Sequence, residues 1–426
     1  MEIVSYGAFS QSMHRQVQSL RAPLNATIEV TRRCPLACVH CYNNLPMGDR
    51  QAQADELSTV EFCRVLDEMA DAGCLWLLLT GGEIFARRDF LEIYTHAKRR
   101  GFIITLFTNG TLITEAVADY LAEWRPFAIE ITLYGRTRET YERLTSVPGS
   151  YDRCLRGIHL LLDRGLPLKL KTVAVTVNKH EIRDMERFAE ELGVEFRFDT
   201  EMNPRIDCSQ SPLAVRLTPE ECVEFDLQDP RRLAEWQLFA EQFLRPVHTP
   251  ATSHQLYHCG GGIDSFAISP SGDMSICVLS QKDTYSVRSG SVHEGWHEFL
   301  RRVRDHKPVT RRTKCTDCEL KAMCGMCPAN GELENGDPES PVDFLCQVAH
   351  LRAHAFGLPI ASHGECEYCE GGPGFEMIRD GAERLRHHVP ARPATPRTLL
   401  PMLAAEPDSQ SDGGCGSGGC SSCHSH

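Results

Sequence analysis

The chain has 426 residues, 42% apolar and 24% charged, with a formal net charge of −13 at pH 7. That length buries a large core and predicts two or three domains, and the negative balance argues against a nucleic-acid partner, because phosphate binding needs dense positive charge. Apolar runs such as Leu75-Trp-Leu-Leu-Leu79 have strand length, short of the roughly 20 residues a membrane span requires, so no membrane partner is expected.

From Asn25 to about Phe198, β-like runs alternate with helical ones. Strands are expected at Ala26–Val30, Cys74–Thr80, Ile103–Thr108, Phe127–Leu133, Leu168–Val177 and Val194–Phe198, and helices at Ser58–Ala72, Arg87–Arg100, Glu115–Glu123 and Ile182–Leu192. Ser58 followed by Glu61 reads as a capping box. Strict alternation predicts an α/β fold with a parallel sheet and crossover helices. Ser209–His258 reads as a connector, helical around Pro219–Phe225 and Arg231–Phe243. Residues 259–351 form a second cysteine-bearing region and 352–386 an extension. From His387 the composition turns to proline, alanine and arginine, ending in a glycine and serine tail with Cys415, Cys420, Cys423, His424 and His426. Such a tail packs no core and is expected to be disordered without metal.

Cys34, Cys38 and Cys41 are separated by three and then two residues, directly after the first strand. Three thiolates on one short loop hold three irons of a [4Fe–4S] cube and leave the fourth open to a small molecule. A zinc site is the alternative, with His40 as the fourth ligand. Disulfides are not expected, because no signal peptide precedes the twenty cysteines and they fall in metal-type clusters, which points to a cytoplasmic, oxygen-sensitive protein.

The cysteine run, with Tyr42 behind it and Gly81-Gly82-Glu83 about forty residues on, resembles the radical S-adenosylmethionine (SAM) enzymes. The resemblance implies a partial (β/α) barrel and a cluster whose open iron chelates SAM and cleaves it to a 5′-deoxyadenosyl radical. It places Tyr42 near adenine, Gly81 and Gly82 where backbone approaches ligand, and Glu83 on the SAM ammonium. Thr132 aligns with a ribose-binding hydroxyl, although many relatives have aspartate at the Tyr134 position. Asn178 reads either as a ribose or adenine contact or as a strand cap. Arg143 is either a fork for the SAM carboxylate or a solvated surface side chain.

Further on, Cys259 and Cys277 flank the Gly272 turn, followed by Cys315, Cys318, Cys324, Cys327 and Cys346. This array resembles the SPASM extension, which carries auxiliary [4Fe–4S] clusters. By position, Cys315, Cys318, Cys324 and Cys346 would hold one cluster and Cys259, Cys277 and Cys327 another. The latter departs from the pattern by lacking a nearby extra cysteine, so an open iron, Asp264 or His258 would complete it. Two zinc knuckles are the alternative. Cys63, Cys74, Cys154, Cys208 and Cys222 are expected as small buried hydrophobes. Cys366-Glu-Tyr-Cys369 has metal-pair spacing and could join the tail in a zinc or iron–sulfur site.

The resemblance implies a maturase that modifies a ribosomally made peptide or protein by thioether or carbon–carbon cross-linking. It would draw electrons from a donor such as flavodoxin or ferredoxin. Only about twenty residues precede the first strand, so leader recognition, where needed, falls to a separate peptide-recognition protein. The alternatives are sulfatase-type oxidation, disfavoured by Val278 where such relatives carry aspartate, tetrapyrrole side-chain processing, and a non-enzymatic iron–sulfur or zinc carrier. No residue is assigned as catalytic from sequence.

Overall fold

In the computed structural model the described residues are 10, 12–13, 20–243, 255–358, 360, 362–363 and 365–387; the expectations for residues 388–426 lie outside them. They cluster into two compact units. One is Arg21–Leu217 with Gly261–His306, and the other is built mainly from Thr218–Gly260 and the described residues from Lys307 onward.

The first unit is a parallel strand and helix alternation. Strands β1 (Asn25–Thr31), β2 (Trp76–Gly81), β3 (Ile103–Thr108), β4 (Ala128–Thr132), β5 (Leu168–Val173) and β6 (Glu195–Asp199) pair in parallel, in the order in which they occur in the chain. Principal helices α1 (Thr59–Asp71), α2 (Phe90–Arg99), α3 (Glu115–Glu123), α4 (Arg138–Thr145), α5 (Ser150–Leu162) and α6 (Ile182–Glu191) connect them. The capping box on α1 forms as expected: Ser58 Oγ accepts from the Glu61 amide and the Glu61 carboxylate accepts from the Ser58 amide. Strand β5 stops at Val173, short of the expected Val177, because the Val175 amide turns to the Asn178 side chain. Helices α4 and α5 come in addition to the expected set.

Strand periodicity separates two chemistries. Ile28, Leu79, Leu106, Ile129 and Leu168 lie side by side across five strands, and each is buried. Each such side chain contributes roughly 1.5–3 kcal/mol when removed from water. The alternate positions carry Glu29, Phe107, Glu130, Lys171 and Arg197, so the opposite face is largely polar.

Beyond β1 the sheet continues. Strand β7 (Ser265–Ile268) pairs parallel to β1, and β8 (Asp273–Ser275) and β9 (Tyr285–Ser286) follow antiparallel, making nine strands. Residues 261–306, expected at the head of the second cysteine region, thus extend the barrel sheet instead. The physical reason is a short hydrogen-bonded register, Asn25↔Ser265 to Ile28↔Ile268, that gives the otherwise open edge of β1 a partner.

The second unit is helical. Helices α7 (Pro219–Gln228), α8 (Pro230–Phe243), α9 (Pro328–Asn335), α10 (Asp343–Ala355) and α11 (Phe375–Arg386) are its main elements, with α10 packed on α7 and α11. Arg352 of α10 is buried. It donates to Asp226 Oδ2 of α7 at 2.9 Å and to the Met323 carbonyl at 3.0 Å, and stacks over the Trp236 ring of α8. Arg232 completes Asp226 at 2.8 Å, so the buried carboxylate is fully paired.

Gly157 on α5 shows how tightly the barrel unit is packed: a Cβ there would lie 2.2 Å from the Gly110 carbonyl oxygen in the loop after β3. Gly157→Ala should destabilise by about 1–3 kcal/mol, whereas Gly48→Ala, with open space around it, should stay within about 0.5 kcal/mol. Thermal midpoints of the two variants and wild type, measured anaerobically, check this. Equal midpoints for all three would show that the backbone relaxes freely at Gly157.

Candidate metal and cofactor site

Arg33–Cys34 pairs with Leu45–Pro46 as a two-strand clip, so residues 35–44 form a loop closed at its base. Beneath the clip, Arg33 is paired with buried Glu56 at 2.8 and 3.0 Å, and Thr31 donates to the same carboxylate. Arg87 donates to the Val30 and Leu57 carbonyls, tying β1 to the segment before α1. On the other side Arg205 donates to the carbonyls of Cys41 and Asn44 and to Asn44 Oδ1. Backbone bonds from Ala37 and Val39 to Thr145 and Leu144 fix the loop to the end of α4.

All three loop cysteines line one cavity of about 720 Å³, together with Pro35, Leu36 and Arg205. Burial pushes the Cys34 thiol up to about 12, helped by Glu83. Cys38 is pushed well above the usual range by burial and then by Cys41 and Cys34, which shows how near one another the sulfurs sit. Cys41 is raised chiefly by burial. Three crowded sulfurs, Cys34 buried and Cys38 and Cys41 half-buried, are poor thiolates by themselves and good ones beside a cation, so the donor set fits an iron–sulfur cluster with these three ligands. Asn109 Nδ2 donates to Cys34 at 3.5 Å, and the Tyr134 hydroxyl is bonded to Cys38. Neither partner was expected from sequence; both follow strand ends, β3 and β4, which is the signal that would have found them. The His40 ring packs edge-on against Tyr134 with its Nδ1 enclosed and unbonded, and burial lowers it to about 4, so it stays neutral.

The other expected SAM-site residues divide. Gly81 ends β2 and Gly82 follows it, and their glycine character answers to protein backbone: a Cβ at Gly81 would sit 2.1 Å from the Thr31 carbonyl oxygen and at Gly82 2.5 Å from that of Arg32. Glu83 is buried and accepts from Thr108 Oγ1 at 2.7 Å, the Asn109 amide at 2.8 Å and the Phe85 amide at 3.3 Å. Tyr42 donates to buried Glu29 at 2.9 Å, as does Asn43. Thr132 ends β4. The Asn178 amide is spent on Val175, Val173, Tyr134 and Thr172, which are the bonds of a strand-end cap. Arg143 is exposed in the last turn of α4, the placement of a solvated arginine. Cys74, Cys154 and Cys222 are buried and Cys63 half-buried, whereas Cys208 is exposed at a positive φ of 65°, a correction to its expected burial.

In the helical unit, Cys318 and Cys324 pack on Leu320, Ala349 and Ala353. Electrostatic coupling runs from Cys346 to Cys324 and Cys366, and from Cys318 to Cys315, Cys366 and Cys369, so six cysteines share one neighbourhood. Sequence reasoning placed four of them together. It missed two histidines: His350, His363, Cys366 and Cys369 are all buried, with their ligand atoms within 4.8 Å of one another. Of the remaining expected set, Cys277 follows β8 in the barrel unit, and Cys259 and Cys327 belong to the helical unit.

Residues 28–192 match the Radical SAM superfamily. The chain carries a radical SAM domain. It is 26% identical over 333 residues to an AdoMet-dependent heme synthase of Methanosarcina barkeri, covering 74% of this chain and 94% of that protein. It is 29% identical over 359 residues to a PqqA peptide cyclase of Rhizobium meliloti, covering 79% and 90%. In fold it is similar to Streptococcus suis SuiB in a crystal structure with precursor peptide SuiA, with a TM-score of 0.57 at 18% identity over 80% of each chain. The radical SAM assignment implies a [4Fe–4S] cluster and SAM, and the three sulfurs facing one cavity are the donors that fit it.

The polar face of the radical SAM sheet holds a partly buried charge cluster. Lys171 lies over the Phe107 ring, 3.3 Å from Glu130, which Arg197 also holds at 2.8 Å. Burial pushes the Lys171 ammonium down to about 7, against the pull of Glu130; Arg197 lowers it further and Asp199 raises it. Between pH 7 and 10.5 the unfolded chain therefore binds more protons at this residue, so its contribution to stability improves as pH rises. Lys171→Met should raise the free energy of unfolding most at pH 6, and the gap to wild type should shrink by about 2 kcal/mol between pH 7 and 9 in denaturant titrations at each pH. A gap that stays constant from pH 6 to 9 would place the lysine outside this low-dielectric setting.

Proposed function

We propose that the chain is a radical SAM maturase that modifies a ribosomally made peptide or protein, with a thioether or carbon–carbon cross-link as the product. The carrying observation is the cavity of about 720 Å³ along the loop after β1, into which Cys34, Cys38 and Cys41 all open. With cluster and SAM bound, the site supplies a radical able to abstract hydrogen from an unactivated carbon. The chain's own residues set its frame: Arg33, Glu56 and Arg205 hold the loop, and Glu83 presents a buried carboxylate beside Asn109. Burial raises that carboxyl to about 7, poised between acceptor and donor near neutrality.

The proposal gives the auxiliary iron–sulfur roles to Cys315, Cys318, Cys324 and Cys346, and to Cys259, Cys277 and Cys327. Overall two hydrogens would leave the substrate while SAM, the two-electron oxidant, is consumed to 5′-deoxyadenosine and methionine with release of a proton, so an electron from a donor such as flavodoxin or ferredoxin would start each turnover and be returned when the cross-link closes. A cytoplasmic setting is part of the reading, supported by the absence of disulfides among the described cysteines. Peptide substrates are favoured by likeness to the PqqA peptide cyclase. Tetrapyrrole processing is the second reading, favoured by likeness to the heme synthase, of which 94% is covered.

Anaerobically reconstituted protein given SAM and dithionite should form 5′-deoxyadenosine, and a Cys34, Cys38 and Cys41 triple alanine variant should form none above background. Incubation with peptides encoded beside the gene, and separately with iron coproporphyrin, then decides substrate class. Loss of two hydrogens from a peptide supports the proposal, and turnover of the porphyrin alone replaces it with the second reading. Equal 5′-deoxyadenosine from the triple variant would remove the radical assignment from this loop.

A further inference from the structure

We propose that His350, His363, Cys366 and Cys369 form a mononuclear zinc site, separate from every iron–sulfur ligand set. The four ligand atoms lie within 4.8 Å of one another in a buried pocket of the helical unit. His350 Nε2 is 3.6 Å from Cys366 Sγ and 3.6 Å from Cys369 Sγ, and His363 Nδ1 is 3.3 Å from Cys369 Sγ. A tetrahedral ion with bonds of about 2.3 Å to sulfur and about 2.0–2.1 Å to nitrogen sets those nitrogen–sulfur edges at about 3.6 Å. The three nitrogen–sulfur distances, 3.3 to 3.6 Å, are close to that edge, and the remaining separations fall within 4.8 Å.

A second observation aims His350 at the centre. Its Nδ1 lies 2.8 Å from the Cys346 carbonyl oxygen, which only accepts, so Nδ1 carries the proton and Nε2 presents a lone pair to the two sulfurs. Metal-bound histidines are oriented by this kind of second bond. The same bond turns the lone pair away from Cys346, whose sulfur is 3.7 Å from Nδ1 and whose thiol is hydrogen-bonded to Cys366. A histidine and cysteine [2Fe–2S] centre puts its sulfurs and imidazoles on different irons, roughly 5 Å or more apart, which exceeds the spacing here.

Local backbone supports the arrangement. Cys369 donates its amide to the Cys366 carbonyl at 3.3 Å, and Gly372 closes the turn on Cys369 at 2.8 Å; a Cβ at Gly372 would lie 2.4 Å from the Glu367 carbonyl oxygen. Zinc does no redox chemistry, so the site is structural. It ties α10, which carries His350, to the turn that leads into α11. The inference does not depend on the proposed activity.

The test compares full-length wild type with a Cys366→Ser/Cys369→Ser variant, both purified anaerobically from cells supplied with iron and zinc. Wild type should hold about one more zinc per chain, with equal iron. The tail cysteines are present in both proteins, so the difference isolates these residues. Zinc-edge X-ray absorption of wild type should show a mixed sulfur and nitrogen shell. Should the variant fail to fold, cobalt(II) exchanged into wild type should give the visible bands of a tetrahedral two-sulfur, two-nitrogen site. Equal zinc in a folded variant, loss of iron in place of zinc, or a metal shell without sulfur would each overturn the proposal.

Discussion

Gly82 donates its amide to the Thr31 carbonyl at 2.7 Å, and Glu83 donates its own to that of Arg33 at 3.0 Å. This contact between the ends of β1 and β2 is backbone on backbone, and only glycine permits it, since any Cβ at Gly81 or Gly82 would fall inside the facing main chain. It fixes where the cysteine loop leaves the sheet. It also carries Glu83 to Thr108 and Asn109, and Asn109 in turn reaches Cys34. The cavity is therefore framed by main-chain geometry before any ligand enters.

The alternation of the barrel unit was legible because its strands and helices carry strong, separate periods: Ile103–Thr108 and Glu115–Glu123 occur where periodicity alone puts them. Helix α4, Arg138–Thr145, is short and mostly polar and offered little hydrophobic pattern; it is held by the Thr137 cap and by Glu181, which accepts from Thr137 and Thr140. Strand β7 was hidden for another reason. Four residues gain their identity from a partner more than 200 positions earlier, and no local period announces such a pairing. The cysteine loop was readable from spacing, but Glu29, Asn109, Tyr134 and Arg205 were not, because they converge on it from four separate stretches of chain.

The glycines of the Gly81-Gly82-Glu83 motif also carry a packing constraint that the sequence alone does not show. Sequence reasoning assigned the glycines to ligand approach, and the structure adds a demand from the protein itself, since Thr31 and Arg32 lie where a Cβ would be. Asn178 shows the same lesson, since its amide groups are bonded to four protein partners. A motif can be tied to a chemistry because it builds the frame, without each member touching the ligand.

The sheet ends at β6 on one side and β9 on the other. Strand β9 has only two residues, and β6 carries Glu195, Arg197 and Asp199 at alternate positions. A long flat apolar edge would invite another chain to add a strand, and two short or charged borders do not. Neither end of the sheet therefore offers a strand of another chain a long apolar ladder to extend.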